Sequence, residues 1–76
     1  MKSEFSVKLK ESRERHSLTQ DKISELTGIA YNSYRRYEYG ERSPRVCDLF
    51  KFLKVFSKAE VLSLVEAELE SKGSQN

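Results

Sequence analysis

The nine residues from Tyr31 to Tyr39, YNSYRRYEY, hold all four tyrosines of the chain together with two arginines and an asparagine. At about 100° per residue, an α-helix over this stretch gathers Tyr31, Asn32, Arg35, Arg36 and Tyr39 on one arc of roughly 140°. The chemistry of that arc is the chemistry that reads a base edge. Arginine can give two parallel donors to guanine O6 and N7, and asparagine can pair with adenine N6 and N7. Tyrosine can bond a phosphate or lie against a base edge or a thymine methyl. Tyr34 and Tyr37 fall on the other side of the helix and are expected in the core. A solvated polar face would account for the charges, but it has no use for Tyr31 and Tyr39.

Such a helix has to protrude from a body that holds it, and the sequence supplies short helices joined by tight turns. The first is predicted from about Ser3 to Arg15, with Ser3 as N-cap, Glu4 in the first turn and Phe5 and Leu9 facing inward. After His16-Ser17, Thr19 caps a second helix whose Ile23 and Leu26 face the core, and Gly28 closes it. The third runs from Tyr31 to Tyr39 and stops at Gly40. Pro44 fits the first position of a fourth, where its missing N–H costs nothing. There Val46, Leu49, Phe50, Leu53 and Phe56 form an apolar arc at helical spacing. Ser57-Lys58-Ala59-Glu60 matches a capping box and opens a fifth helix bearing Val61, Leu62, Val65 and Leu69. The expected fold class is all-α with five short helices, a single domain over residues 1–72, and a frayed tail over 73–76.

Composition limits what this body can do. With 76 residues, of which 37% are hydrophobic, there is material for one core and not two. No apolar run approaches the ~18 residues of a membrane span, and the first residues lack the apolar stretch of a signal peptide. The single cysteine, Cys47, cannot form an internal disulfide, so a reducing cytoplasm is the expected compartment. Cys47 is read as a half-buried small residue. One His and one Cys cannot complete a zinc site and imply no catalytic geometry, and there is no Gly-rich phosphate loop. We therefore expect no cofactor, no metal and no enzymatic activity. Net charge is only +2, but residues 1–58 carry +5 and residues 59–76 carry −3. A basic body with an acidic end suggests one face for a polyanion and another turned away from it.

Residues 18–44, LTQDKISELTGIAYNSYRRYEYGERSP, resemble the helix-turn-helix of the Cro/cI-type (XRE-like) transcriptional regulators. The resemblance rests on Leu18-Thr19-Gln20, Gly28-Ile29, Tyr37-Glu38, and Gly40-Glu41-Arg42 followed by Pro44. It extends over about residues 9 to 56. It implies a lambda-repressor-like DNA-binding domain, with the helix-turn-helix at helices two and three and double-stranded DNA as partner. Position by position, it implies base readers at Tyr31, Asn32 and Arg36. At least one of Arg35 and Arg36 should meet a base, so the candidate base-contacting set is Tyr31, Asn32, Arg35 and Arg36. Thr19, Gln20 and Arg42 occupy places where members touch the phosphate backbone, Gln20 also bracing the first reader. Arg35, Tyr39 and Arg45 flank the arc as further phosphate candidates. Arg13 and Glu38 are implied to form a partly buried ion pair between the first and third helices.

The chain departs from the family at three places. Ala30 stands where a capping side chain is usual, so the third helix could start late with Asn32 as its cap. Ser12 replaces a common core leucine, and Ser17 replaces a usual glycine. One short helix reads only a few base pairs, so a homodimer on a pseudo-palindromic operator is expected. Val55 and Leu64, apolar residues outside the assigned core, are the candidate interface; their packing against each other is the alternative. A protein-interaction module, such as an antitoxin bound to a toxin or another regulatory protein, is the rival to a DNA-binding repressor.

Overall fold

The computed structural model describes residues 3–73. Among them are five α-helices and no strand: α1 (Glu4–Arg15), α2 (Gln20–Thr27), α3 (Tyr31–Tyr39), α4 (Val46–Lys51) and α5 (Lys58–Gly73). A single 3₁₀ turn, Phe52–Lys54, follows α4. The expected fraying over residues 74–76 lies outside the described residues, while α5 continues through Gly73.

The ends of the first three helices follow from local chemistry. Ser3 accepts from the Ser6 N–H at 3.1 Å, and the Ser6 hydroxyl oxygen accepts from the Ser3 N–H, closing a reciprocal cap on α1. The far end of α1 is a Schellman turn, with Leu18 N–H donating to the Arg13 carbonyl and Ser17 N–H to that of Glu14. That turn requires a left-handed residue, and Ser17 takes φ +56° in the place of the usual glycine. The turn keeps its shape against the serine Cβ. Ser17→Gly is therefore expected to raise stability by up to about 1 kcal/mol, read as a higher urea midpoint at unchanged slope. Thr19 caps α2 by accepting from the Lys22 N–H, and Gly28, at φ +79°, ends it.

The core is one cluster built from every helix but α4, whose 3₁₀ extension supplies Phe52 instead. Phe5 and Leu9 of α1, Ile23 of α2, Tyr34 and Tyr37 of α3, and Leu64 and Ala67 of α5 are all essentially inaccessible to solvent. Phe52 sits among them, edge-on to Tyr34 with ring centroids 6.3 Å apart and stacked on Phe56 at 5.8 Å. Two buried serines of α1 have partners: Ser6 in the cap, and Ser12 accepting from Arg15 Nη2 at 3.1 Å.

Four sequence expectations about the body are corrected. First, α4 starts at Val46 rather than at Pro44, because Arg45 is extended (ψ 151°) and its carbonyl takes the first helical N–H groups, those of Asp48 and Leu49. Second, the inward face of this segment is Leu49, Phe52 and Phe56, with Asp48 beside them. Val46 and Phe50 are 67% and 66% exposed, and Leu53 is exposed too. The tightening to a 3₁₀ turn at Phe52 breaks the uniform 100° register on which the expected arc depends. Third, α5 turns Val61, Leu64 and Ala67 to the core and leaves Leu62 and Leu69 exposed. Leu64, at 0% exposure, has no surface to offer a partner, and Val55 is partly buried against the core, so the Val55–Leu64 interface is excluded as drawn. Fourth, Leu26 is exposed because α2 presents Ile23 and Thr27 inward instead; the buried Thr27 hydroxyl is satisfied by the Ile23 carbonyl at 2.7 Å. Cys47, expected to be half-buried, is exposed.

Candidate nucleic-acid interface

The recognition segment begins in the turn between α2 and α3. Gly28 reverses the chain in the left-handed conformation, Ile29 is buried, and the Ser24 hydroxyl donates to the Ile29 carbonyl at 2.5 Å. The Ile29 N–H donates in turn to the Thr27 hydroxyl. α3 then starts at Tyr31 with Ala30 as an extended, uncapped residue, and the Tyr34 N–H donates to the Ala30 carbonyl at 2.9 Å. The late start is thus not taken. Asn32 does not cap; it stands at the second helical position with its side chain exposed. The missing cap forgoes about 1 kcal/mol, the helix relying on its buried side for stability. Gly40 at φ +77° ends α3, and Glu41 N–H returns to the Arg36 carbonyl.

Behind the exposed arc lies a buried polar cluster centred on Glu38, which is 2% exposed. Its carboxylate takes Arg13 Nε at 2.6 Å and Nη2 at 3.2 Å, Gln20 Nε2 at 3.0 Å, and the Tyr34 hydroxyl at 2.5 Å. Arg13 also donates through Nη1 to the Leu18 carbonyl, which ties the α1–α2 turn to the same cluster. Three helices therefore meet on one carboxylate, and the expected Arg13–Glu38 pair is present. Burial pushes the Glu38 pKa upward, but the donors from Arg13, Tyr34 and Gln20 outweigh it and hold it below the usual carboxylate range. Burial, and then the bond to Glu38, keeps the Tyr34 hydroxyl protonated far above its ordinary range.

A second buried carboxylate, Asp48, accepts the Tyr37 hydroxyl and is approached by Arg45 Nε at 3.6 Å and Lys51 Nζ at 3.4 Å. Burial raises its pKa, yet the Tyr37 and Lys51 hydrogen bonds and both cations bring it below the normal value. The two inward tyrosines of α3 thus each end on a buried carboxylate, one joining α3 to α1 and α2, the other to α4.

Acid sensitivity follows with a definite sign. Glu38 and Asp48 bind protons less readily folded than unfolded, so their contribution is complete above about pH 5. It is lost as pH falls through the carboxylate range and on through the lowered folded values. The urea midpoint should be flat from neutrality to about pH 5 and then fall, with a shallower fall in Glu38→Gln.

The predicted site residues separate into three groups. Tyr31, Asn32 and Arg36 are exposed, and the Tyr31 hydroxyl lies 3.5 Å from Gln20 Oε1, whose Nε2 is committed to Glu38. Gln20 therefore links the buried pair to the first residue of the arc. Asn32 and Arg36 have no hydrogen-bond or ion-pair partner among the described residues, and neither does Arg42 in the turn after α3. Arg35 is brought against Tyr39, its guanidinium carbon 5.7 Å from the ring centroid, so these two act as one unit on the flank. Thr19 is exposed while capping α2, and Arg45 is exposed but anchored on Asp48. Sequence reasoning missed Asp48, although its i,i+3 spacing to both Arg45 and Lys51 was visible. It also missed the i,i+4 spacing that brings the Tyr34 hydroxyl to Glu38.

Residues 9–61 match the family described as helix-turn-helix, and the chain belongs to that family. This agrees with the Cro/cI-type resemblance and with the all-α fold. The chain is also 30% identical over 70 residues to the cryptic phage CTXphi transcriptional repressor RstR of Vibrio cholerae. That alignment covers 90% of this chain and 63% of the relative, so the chain spans less than two thirds of the relative's length. No solved structure matches the chain significantly. Among the described residues no helix is long and apolar enough to cross a membrane.

Proposed function

We propose that the chain is a sequence-specific DNA-binding transcription regulator, acting as a repressor and inserting α3 into the major groove. The observation that carries this is the exposed arc of α3, where Asn32 and Arg36 stand free on a helix braced from behind by Glu38 and Asp48. A helix of ~10–12 Å diameter fits the ~12 Å groove. Tyr31, Asn32, Arg35 and Arg36 read base edges. Thr19, Gln20, Tyr39, Arg42 and Arg45 hold phosphates and set the register. The repressor role is supported by the similarity to the phage repressor. Two copies bind a pseudo-palindromic operator, with half-sites ~34 Å apart on one face of the duplex, in the cytoplasm.

Selection from random duplex DNA tests this reading. The recovered sites should share a two-fold consensus with half-sites about one helical turn apart. A pool without consensus, or one asymmetric site bound by a single chain, would contradict it.

A further inference from the structure

The largest exposed apolar surface lies on α4, the 3₁₀ turn and α5, and the core assignment left it without a role. Phe50 and Leu62 are exposed by 66% and 61%, and with Leu53, Val61 and Val65 they line an open groove of about 300 Å³ that begins at Lys58. Val46 lengthens the patch at one end and Leu69, 63% exposed, at the other. Single exposed apolar residues are ordinary, whereas a contiguous groove of this kind marks a docking surface.

We infer that this groove binds a second copy of the same chain, through α5 packed antiparallel on its two-fold mate. Three observations select that occupant. Leu62, Val65 and Leu69 are spaced three and four residues apart, the seam that another α-helix fills. The charges along the seam are self-complementary: Lys58 stands at its start, and Glu66 and Glu70 run beside its far half. An antiparallel two-fold brings each Lys58 to the partner's acidic end, and a two-fold interface must match itself in this way. Finally, every residue of the groove belongs to the segment after α3, so filling it leaves Tyr31, Asn32 and Arg36 open. The stripe that α5 does not spend on the core is thus the surface that joins two reading heads.

The surface rests on the two-copy reading above, but it is tested without DNA, so the two can fail separately. Sedimentation equilibrium of the free chain from low micromolar to millimolar concentration should reveal a monomer–dimer equilibrium. Phe50→Glu and Leu62→Glu should each raise the dissociation constant by about tenfold or more. Their circular dichroism should stay unchanged, because both side chains are exposed. Lys58→Glu should weaken the dimer, and Lys58→Glu/Glu66→Lys/Glu70→Lys should restore it. A chain that stays monomeric throughout would overturn the proposal. So would a dimer indifferent to Phe50→Glu and Leu62→Glu, or one that Lys58→Glu leaves unweakened or the charge exchange does not restore.

Discussion

Replacing Arg13 by alanine is expected to cost about 3–5 kcal/mol of stability, measured by urea unfolding at pH 7. The pair itself is not the source of that figure, since desolvation offsets much of its attraction. The cost arises because Glu38, 2% exposed, would keep its charge with only Gln20 and Tyr34 to satisfy it. A chain of this length has a total stability of roughly 4–11 kcal/mol, so the variant should be substantially destabilised and partly unfolded when warmed. Removing the carboxylate as well lifts the stranded charge. Arg13→Ala/Glu38→Ala should therefore cost clearly less than the sum of the two single changes. Additive costs would mean that the two side chains are not coupled.

The second large effect concerns Arg36. Arg36→Ala should cost about 1–3 kcal/mol on the preferred site and relax preference at one base pair, a G·C. Arg42→Ala should instead weaken all sequences about equally and lower the salt slope by roughly one contact. The difference follows from position. Arg36 projects from the exposed face of α3, whereas Arg42 lies in the turn beyond Gly40. Competition between the selected site and single-base variants separates the two. If both variants lose affinity irrespective of sequence, Arg36 is a phosphate contact.

The recognition segment was largely legible because its limits are set by strong local signals. Gly28 and Gly40 are the left-handed residues that end α2 and α3, and Thr19 is the cap that starts α2. The division of α3 into an exposed arc and two inward tyrosines follows from periodicity alone. The ion pair of Arg13 with Glu38 came from the resemblance, as no local pattern joins residues 25 apart. Legibility failed in the second half, where α4 and α5 each carry two apolar stripes. Val61–Leu64–Ala67 and Leu62–Val65–Leu69 are both at helical spacing, and only packing against the rest of the body decides which is buried. Phe52 was hidden for a related reason: the 3₁₀ turn places it inward where a continuous helix would favour Phe50. Asp48 was missed because a carboxylate among apolar residues reads as surface until the Tyr37 hydroxyl is found against it.

The central claim is that the exposed face of α3 and its flanking cations engage duplex DNA. Titrating the intact chain with a fluorescent duplex of arbitrary sequence, at several salt concentrations, tests it most directly. The account predicts binding in the micromolar range or tighter at low salt, with log K falling linearly against log salt at about 0.9 per phosphate neutralised. No binding at about 100 µM chain in low salt, or an affinity indifferent to salt, would contradict it.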